Sequence, residues 1–287
     1  MKIGELAEKY ISDLNILYER EEAKVLFSLS AAHILNISTT QLRMQYAVSL
    51  LYNDYQQLLA ILEDLKSGKP IQHILNEAHF YGSVFKVNEN VLIPRPETEE
   101  LVDWIINEIQ QVGNGAVQIL DIGTGSGCIP ITLKKYLPNS TVSTMDVSAK
   151  AIEVAKENAE HLQQQVNFIE ADILVYKSNE KYDVVVSNPP YIRMLERTEM
   201  HKNVLTFEPH LALFVSDEDP LIFYKAIAEF AIQNLNPNGY LFFEINEYLG
   251  LGTIQLLKDK GFNNIKLKKD MQGKDRMIMA KIVDEIA

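Results

Sequence analysis

Cysteine is almost missing from these 287 residues: Cys128 stands alone. One thiol excludes an internal disulfide framework and fits a reducing compartment. Long apolar runs are missing too. No stretch of about 18 apolar residues occurs, so no membrane-spanning helix is expected. The opening Met1-Lys2-Ile3-Gly4-Glu5 lacks the apolar core of a secretory signal, and a cytoplasmic protein is expected. Positive charge is scarce, with 27 Lys and Arg against 39 Asp and Glu and a formal net charge of −12. A chain this acidic is a poor general binder of phosphate backbones, so direct binding to nucleic acid is not expected. Only Gly4 precedes Gly68, and no proline precedes Pro70. Apolar residues, by contrast, make up 47% of the chain. That is enough for a sizeable core in one large domain or two smaller ones.

The stretch poor in Gly and Pro reads as helices. Leu6, Tyr10 and Leu14 recur at helical spacing, as do Ala23, Leu26, Phe27 and Ile34. Ala47, Leu50 and Leu51 follow the same spacing, then Leu58, Leu59, Leu62 and Leu65. Ser38-Thr39-Thr40 has the chemistry of a helix N-cap, and Gly68-Lys69-Pro70 stops the last helix. Residues 1–75 are therefore predicted to be a helical N-terminal domain. Residues 76–94 are expected to be a β-hairpin linker, with strands in His79–Val87 and Val91–Ile93 turning at Asn88-Glu89-Asn90. Residues 95–287 alternate strand and helix. Predicted strands are Val117–Ile122, Thr141–Val147, Val166–Ala171, Tyr182–Ser187, Tyr240–Ile245, Ile265–Lys268 and Arg276–Ile282. Predicted helices are Glu97–Gln111, Ile129–Tyr136, Ala149–His161, Leu221–Gln233 and Tyr248–Lys260. This alternation implies an α/β fold with a seven-stranded, mostly parallel sheet covered on both faces. The last two strands have a short connection and are expected to be antiparallel.

Four strand ends carry chemistry. Asp121-Ile122-Gly123-Thr124-Gly125-Ser126-Gly127 leads from a strand through a Gly-rich turn into a helix, where the backbone can approach a ligand closely. Asp146 ends the next strand, where an acid can accept from both hydroxyls of an adenosine ribose. NAD and S-adenosylmethionine both fit that pair. Asp121 favours the second, because a carboxylate there repels a pyrophosphate but tolerates an ammonium and a sulfonium. No phosphate-binding Lys follows, so a nucleoside-triphosphate loop is excluded. Asp172 and Ile173, past the third strand, offer an acceptor for an adenine amino group and an apolar wall for the ring, although an Asp there is also an ordinary turn residue. Asn188-Pro189-Pro190-Tyr191 ends the fourth strand. Its prolines remove two backbone donors and stiffen the turn, leaving a carboxamide, a carbonyl and a ring that suit a planar amide or amino nitrogen. A rigid turn with a surface Tyr is the plain alternative.

On these residues the chain resembles the release-factor glutamine methyltransferases. The resemblance rests on Val91–Glu99 (Val-Leu-Ile-Pro-Arg-Pro-Glu-Thr-Glu), Asp121–Gly127, Asn188–Ile192, Phe207-Glu208-Pro209 and Lys269–Arg276. Gly68–Ile74 matches as well. The resemblance implies a Rossmann-like enzyme that uses S-adenosyl-L-methionine to methylate the side-chain nitrogen (N5) of the glutamine in the Gly-Gly-Gln motif of peptide-chain release factors, with the helical domain of residues 1–75 recognising that substrate. By the same resemblance, Asp121, Ile122, Gly123, Thr124 and Gly125 cradle the methionine part of the cofactor. Asp146 binds its ribose, and Asp172 with Ile173 borders its adenine. Asn188 touches cofactor and substrate, and Asn188, Pro189, Pro190 and Tyr191 hold the substrate amide. Asn246 departs from the pattern, standing where the family usually has Gly.

The Asn188 side-chain oxygen and the Pro189 carbonyl can each accept one N–H of a carboxamide, with Tyr191 packed on its plane. No general base is needed before transfer. His33, His73, His79, His161, His201 and His210 show no metal-ligand spacing, and no metal is expected. Arg95, Glu97 and Glu99 read equally as a helix start and as a pocket wall. Arg193–Thr206 reads as a rim over the site. The same reaction on a ribosomal protein is a close alternative. N6-adenine methylation of nucleic acid also fits Asn-Pro-Pro-Tyr but requires base flipping and a basic groove. A non-catalytic cofactor-binding module is disfavoured by the intact tetrapeptide.

Overall fold

The computed structural model describes residues 1–113 and 115–282; the last five residues of the expected 95–287 domain lie outside them. The chain divides into two compact units, Met1–Glu77 with His201–Phe207, and Ala78–Met200 with Glu208 onward.

In the first unit, helices α1 (Ile3–Leu14), α2 (Arg20–Leu35), α3 (Thr39–Met44), α4 (Tyr52–Lys66) and α5 (Ile71–Leu75) follow one another. Helix α1 buries Ile3, Leu6, Ala7, Tyr10, Ile11 and Leu14, a stripe at three- and four-residue spacing. These side chains pack on Leu26 and Phe27 of α2 and Leu58, Leu62 and Leu65 of α4. Ser38 caps α3 in a reciprocal capping box with Gln41. The helical reading of Ala47, Leu50 and Leu51 is overturned. Helix α3 stops at Met44, and the next residues turn back to the start of the chain, with Ile3 N donating to Val48 O at 3.0 Å and Leu50 N to Met1 O at 3.1 Å. Gly4 permits the approach, since a Cβ there would lie 3.1 Å from the Tyr46 carbonyl. Gly68 ends α4, but it does not end the helices, because Pro70 starts α5.

The expected hairpin exists with a different turn. Strands β1 (Glu77–Phe80) and β2 (Ser83–Lys86) pair across Tyr81-Gly82. Both turn residues have positive φ, 46° and 71°, as a type I′ turn demands. Asn88-Glu89-Asn90 is not the hairpin turn, and Val91–Ile93 is not a strand. The misreading arose because Tyr-Gly is a weaker turn signal than the Asn-rich segment after it.

The second unit continues with α6 (Pro96–Val112), β3 (Gln118–Ile122), α7 (Cys128–Tyr136), β4 (Thr141–Asp146), α8 (Ala149–His161), β5 (Asn167–Glu170) and β6 (Tyr182–Ser187). Then come β7 (Ile192–Arg193), a 3₁₀ turn (Met194–Glu199), α9 (Lys202–Phe207, in the first unit), α10 (His210–Leu213) and β8 (Phe214–Val215). The chain ends with α11 (Ile222–Asn234), β9 (Leu235–Glu244), α12 (Gly250–Asp259), β10 (Asn263–Lys269) and β11 (Asp275–Lys281). The sheet order is β10-β11-β9-β6-β3-β4-β5, and β11 alone runs against the rest. Strand β9 begins five residues before Tyr240, because Asn236–Gly239, turn-like in sequence, forms a bulge against β6.

Alternate residues of each strand face opposite sides. Ile119, Val184, Val186 and Phe242 pack under Leu101, Trp104 and Ile105 of α6 and Ile131 of α7. Leu120, Val185, Leu241 and Phe243 pack against Tyr224, Ile227 and Ala231 of α11 and Leu257 of α12. Trp104 is core, as its helical position implied. Strands β4 and β5 step outward on one side of β3, and the chain then returns to β6 on its other side. That reversal opens a crevice at the C-terminal ends of β3 and β6, the place where ligands bind in open α/β sheets.

Candidate active site

A single cavity at this switch point is lined by Ile122–Gly125 after β3, Asp146 after β4, Asp172 and Ile173 after β5, and Asn188–Pro190 after β6. Arg95, Thr98 and Phe223 complete part of its wall. Two of the expected residues do not line it. Asp121 lies fully buried within β3, and Tyr191 turns its hydroxyl to Glu244, 3.1 Å away, with its ring against the α11-side core. The stacking expected of Tyr191 on a planar amide is therefore absent from this arrangement.

The Gly-rich turn is built from backbone. Gly123, Gly125 and Gly127 all have positive φ. A Cβ on Gly127 would lie 2.8 Å from Ile131 Cδ1 and 3.1 Å from Ala155 Cβ, so only glycine fits where the turn meets α7. Met145 O accepts from Gly123 N and Thr124 N at 2.8 and 3.1 Å, tying the turn to the end of β4. Beneath it runs a chain of hydroxyls. Thr144 Oγ1 donates to Asp121 Oδ2 at 2.6 Å, which leaves its lone pairs for the Thr124 hydroxyl at 2.7 Å.

Asp121 Oδ1 has no hydrogen-bond partner among the described residues. Burial pushes the Asp121 carboxyl up to about 8, and the Asp146 charge adds to the rise while the Thr144 hydroxyl opposes it. A buried carboxylate with an open oxygen is the partner an ammonium-bearing ligand needs. Asp146 accepts from Gly125 N through Oδ2 at 3.0 Å and from Ser148 N through Oδ1 at 2.9 Å. Burial raises its pKa, and these amide donors hold it down. Each oxygen keeps a second lone pair for a ligand hydroxyl. Asp172 uses Oδ1 in a local turn to Leu174 N at 2.9 Å. The glycine cradle, the open Asp121 oxygen and the apolar Ile173 wall together fit S-adenosylmethionine. Cys128, pushed up to about 12 chiefly by burial, is a protonated packing thiol.

The tetrapeptide side is held by side chains. Ser187 Oγ donates to Ile122 O at 2.5 Å, joining the ends of β6 and β3. Asn188 Nδ2 donates to Thr98 Oγ1 at 3.3 Å, and Thr98 donates to Glu244 Oε2 at 2.6 Å. Burial raises the pKa of Glu244, against the pull of Thr98, Tyr191 and Arg276. Asn246 Nδ2 donates to Tyr191 O at 3.1 Å and to Glu196 Oε2 at 2.9 Å. The side chain that departs from the family pattern thus fastens the tetrapeptide from behind.

Thr98, Glu208, Glu244 and Asn246 were not read as site residues from sequence. Glu208 Oε1 pairs with Arg95 Nη2 at 2.5 Å, and its Oε2 accepts from Ile93 N at 3.2 Å. The signal was present, because Val91–Glu99 and Phe207–Pro209 are both distinctive segments and this ion pair, buried on the Glu208 side, joins them. Glu244 ends an apolar strand, a position where a lone acid signals a partner.

Comparison with known proteins agrees with this geometry. The chain matches the Methyltransferase small domain over residues 103–207 and the PrmC N-terminal domain over residues 5–75. A release factor glutamine methyltransferase of Flavobacterium psychrophilum is 46% identical over 280 residues, covering 97% of this chain and 98% of that protein. One from Bacteroides thetaiotaomicron is 42% identical over 269 residues, covering 93% and 95%. The crystal structure of a methyltransferase from Pyrococcus furiosus shares the fold, with a TM-score of 0.52 at 19% identity over 71% of this chain and 91% of that one. The chain belongs to the release factor glutamine methyltransferase family.

Proposed function

We propose that the cavity between β3 and β6 transfers a methyl group from S-adenosylmethionine to the side-chain nitrogen of the glutamine in the Gly-Gly-Gln motif of peptide-chain release factors. The observation that carries this reading is the meeting of Asn188-Pro189-Pro190 with the Gly123–Gly125 turn and Asp146 in one cavity, in a chain alike over nearly its whole length to enzymes of that name.

When bound, the cofactor supplies an electrophilic methyl group on a sulfonium. Asp121 and the Ile122–Gly125 backbone hold its methionine part. Asp146 takes the ribose hydroxyls, and Asp172 and Ile173 border the adenine. An amide nitrogen is a poor nucleophile because its lone pair is delocalised into the carbonyl. Asn188 Oδ1 and the Pro189 carbonyl each accept one of its N–H groups, which fixes the nitrogen and directs its electron density. Positioning of this kind supplies as much as roughly 7–11 kcal/mol when the geometry is tight. Pro189 and Pro190 keep the two acceptors from relaxing. Tyr191 acts from behind, through Glu244. One N–H proton leaves to water after transfer, so no protein base is required. The helical unit grips the release factor, and the acidic surface keeps nucleic acid away. A substrate of the translation machinery places the enzyme in the cytoplasm.

The test is radiolabelled methyl transfer to purified release factor, beside its Gln→Ala variant and DNA. Label on release factor alone, absent from the variant, is expected. Label on DNA alone would sink the assignment, and equal label on the variant would remove the target glutamine.

A further inference from the structure

We propose that Thr98 and Glu244 decide which edge of the Asn188 carboxamide faces the acceptor, acting as positioning residues for the amide clamp. The inference rests on the reading that Asn188 accepts an N–H from the substrate. A carboxamide has two edges of nearly equal shape and opposite polarity. If it is flipped, a donor meets a donor and the acceptor amide is repelled. Something must hold it one way round.

Direction is set by counting protons. Glu244 is fully buried and receives two hydroxyl donors, Thr98 at Oε2 (2.6 Å) and Tyr191 at Oε1 (3.1 Å). An ionised carboxylate only accepts, so the single hydroxyl proton of Thr98 is committed to it. Thr98 Oγ1 then presents nothing but lone pairs to Asn188, 3.3 Å away. Only the Nδ2 edge can face those lone pairs. Asn188 Oδ1 is left on the other edge, without a protein partner among the described residues. The charge of Glu244 has compensation nearby. Burial raises the pKa of Glu244, and the two hydroxyl donors and Arg276, whose guanidinium holds Asp270 Oδ2 at 3.2 Å and the Ile245 carbonyl at 3.3 Å, draw it back toward the ionised form. The relay spans three elements, with Thr98 in the first turn of α6, Glu244 at the end of β9 and Asn188 after β6.

Substitutions that keep shape and change polarity test this. Glu244→Gln offers Thr98 a donor edge, which turns the Thr98 proton toward Asn188 and draws Oδ1 inward. Thr98→Val keeps volume and removes the relay, whereas Thr98→Ser keeps the hydroxyl. With the intact enzyme, release factor and radiolabelled S-adenosylmethionine, E244Q and T98V are each expected to lose ~100-fold in kcat, the scale of a misaligned reacting group. Their KM for release factor and their cofactor affinity by calorimetry should stay within about threefold, under 1 kcal/mol. T98S is expected within about fivefold of the native rate. A T98V enzyme turning over at the native rate overturns the relay, as does equal loss in T98S and T98V.

A second readout needs no substrate. The Asn188 side-chain NH₂ protons, resolved by ¹⁵N-asparagine NMR and assigned with N188A, should exchange with water faster in T98V than in the native protein. Unchanged exchange overturns the relay even if the acceptor is not a release factor. A native enzyme that leaves release factor unlabelled defeats the functional reading while this measurement still stands.

Discussion

The two halves of the cavity are built in opposite ways. The half assigned to the methyl donor is backbone: three glycines at positive φ, a carbonyl from Met145, and Asp146 braced by the amides of Gly125 and Ser148. These parts lie between residues 123 and 148, with Asp172 and Ile173 the next strand end along the chain. The half assigned to the acceptor amide is side chain upon side chain: Asn188 on Thr98, Thr98 and Tyr191 on Glu244, and Asn246 on Tyr191. Its parts come from positions 98 to 246. A flexible, chemically common cofactor needs close backbone approach, which glycine supplies. A neutral amide, weak as a nucleophile and symmetric in outline, needs polarity fixed at a distance. That requires a network.

Four changes probe this contrast, from the largest expected effect to the smallest. Asn188→Ala should lower methyl transfer by about 10³-fold, the scale for losing a preorganised hydrogen-bonding group. Cofactor binding should weaken less than about tenfold. Near-native turnover would dissolve the distinction between the halves. Gly127→Ala strikes the other half. Its Cβ meets Ile131 and Ala155 at a φ of +81°, and unfolding in urea should show a loss of about 2 kcal/mol. A native midpoint would mean the turn tolerates side chains.

Asp121→Asn separates the halves by pH. The folded carboxyl is raised to about 8 from an ordinary 3.8. Its contribution to stability is therefore full below the unfolded value and is lost as the pH rises through about 8. An Asn does not titrate. The stability of the native protein relative to D121N should fall with rising pH by up to about 1.4 kcal/mol per unit, measured by unfolding at pH 5.5, 6.5 and 7.5. Parallel curves would mean Asp121 is ionised throughout.

Tyr191→Phe removes one donor from Glu244. Thr98 and Arg276 still favour its charged form, burial and the nearby Glu97 oppose it, and Tyr224 bonds only its backbone carbonyl. The pKa of Glu244 should rise further. The acid limb of the pH–kcat profile should then move to higher pH. An acid limb that stays in place separates Glu244 ionisation from turnover.

The same contrast explains what was legible in the sequence. The turn after β3 and the tetrapeptide after β6 announce themselves locally, since each is a short motif at the end of an apolar run. The strands around them follow from alternating apolar residues, and their switch-point order brings Ile122–Gly125, Asp146, Asp172–Ile173 and Asn188–Pro190 together. Helices α1, α2 and α4 follow from apolar spacing, because each packs a single stripe. Ala47–Leu51 carries the same spacing without being a helix, since its bonds go to the chain start, which no periodicity encodes. Thr98, Glu244 and Asn246 were hidden for a related reason. A lone acid at the end of an apolar strand marks Glu244 as having a partner, but with 146 positions between them nothing local names that partner as Thr98. Asn246 did draw notice as a departure from its family, but its partners, Tyr191 and Glu196, are set by the fold.

The short parallel pair of β7 with β8 has a further consequence. Residues 192–193 and 214–215 lie side by side, so the segment between them starts and ends at one point. Arg193 and Asn246 grip Glu196 at the way out, and Leu195 N donates to Asp217 Oδ1 at 3.1 Å across the base. That segment is clipped at its base and pinned again at Glu208, which pairs with Arg95. Doubling its length would cost only about 0.6 kcal/mol in closure entropy. Insertions between residues 197 and 200 can therefore accumulate while Asn188 keeps its place, whereas Glu208 and the cavity-lining Pro209, Leu211 and Ala212 tie the returning half of the segment to the site.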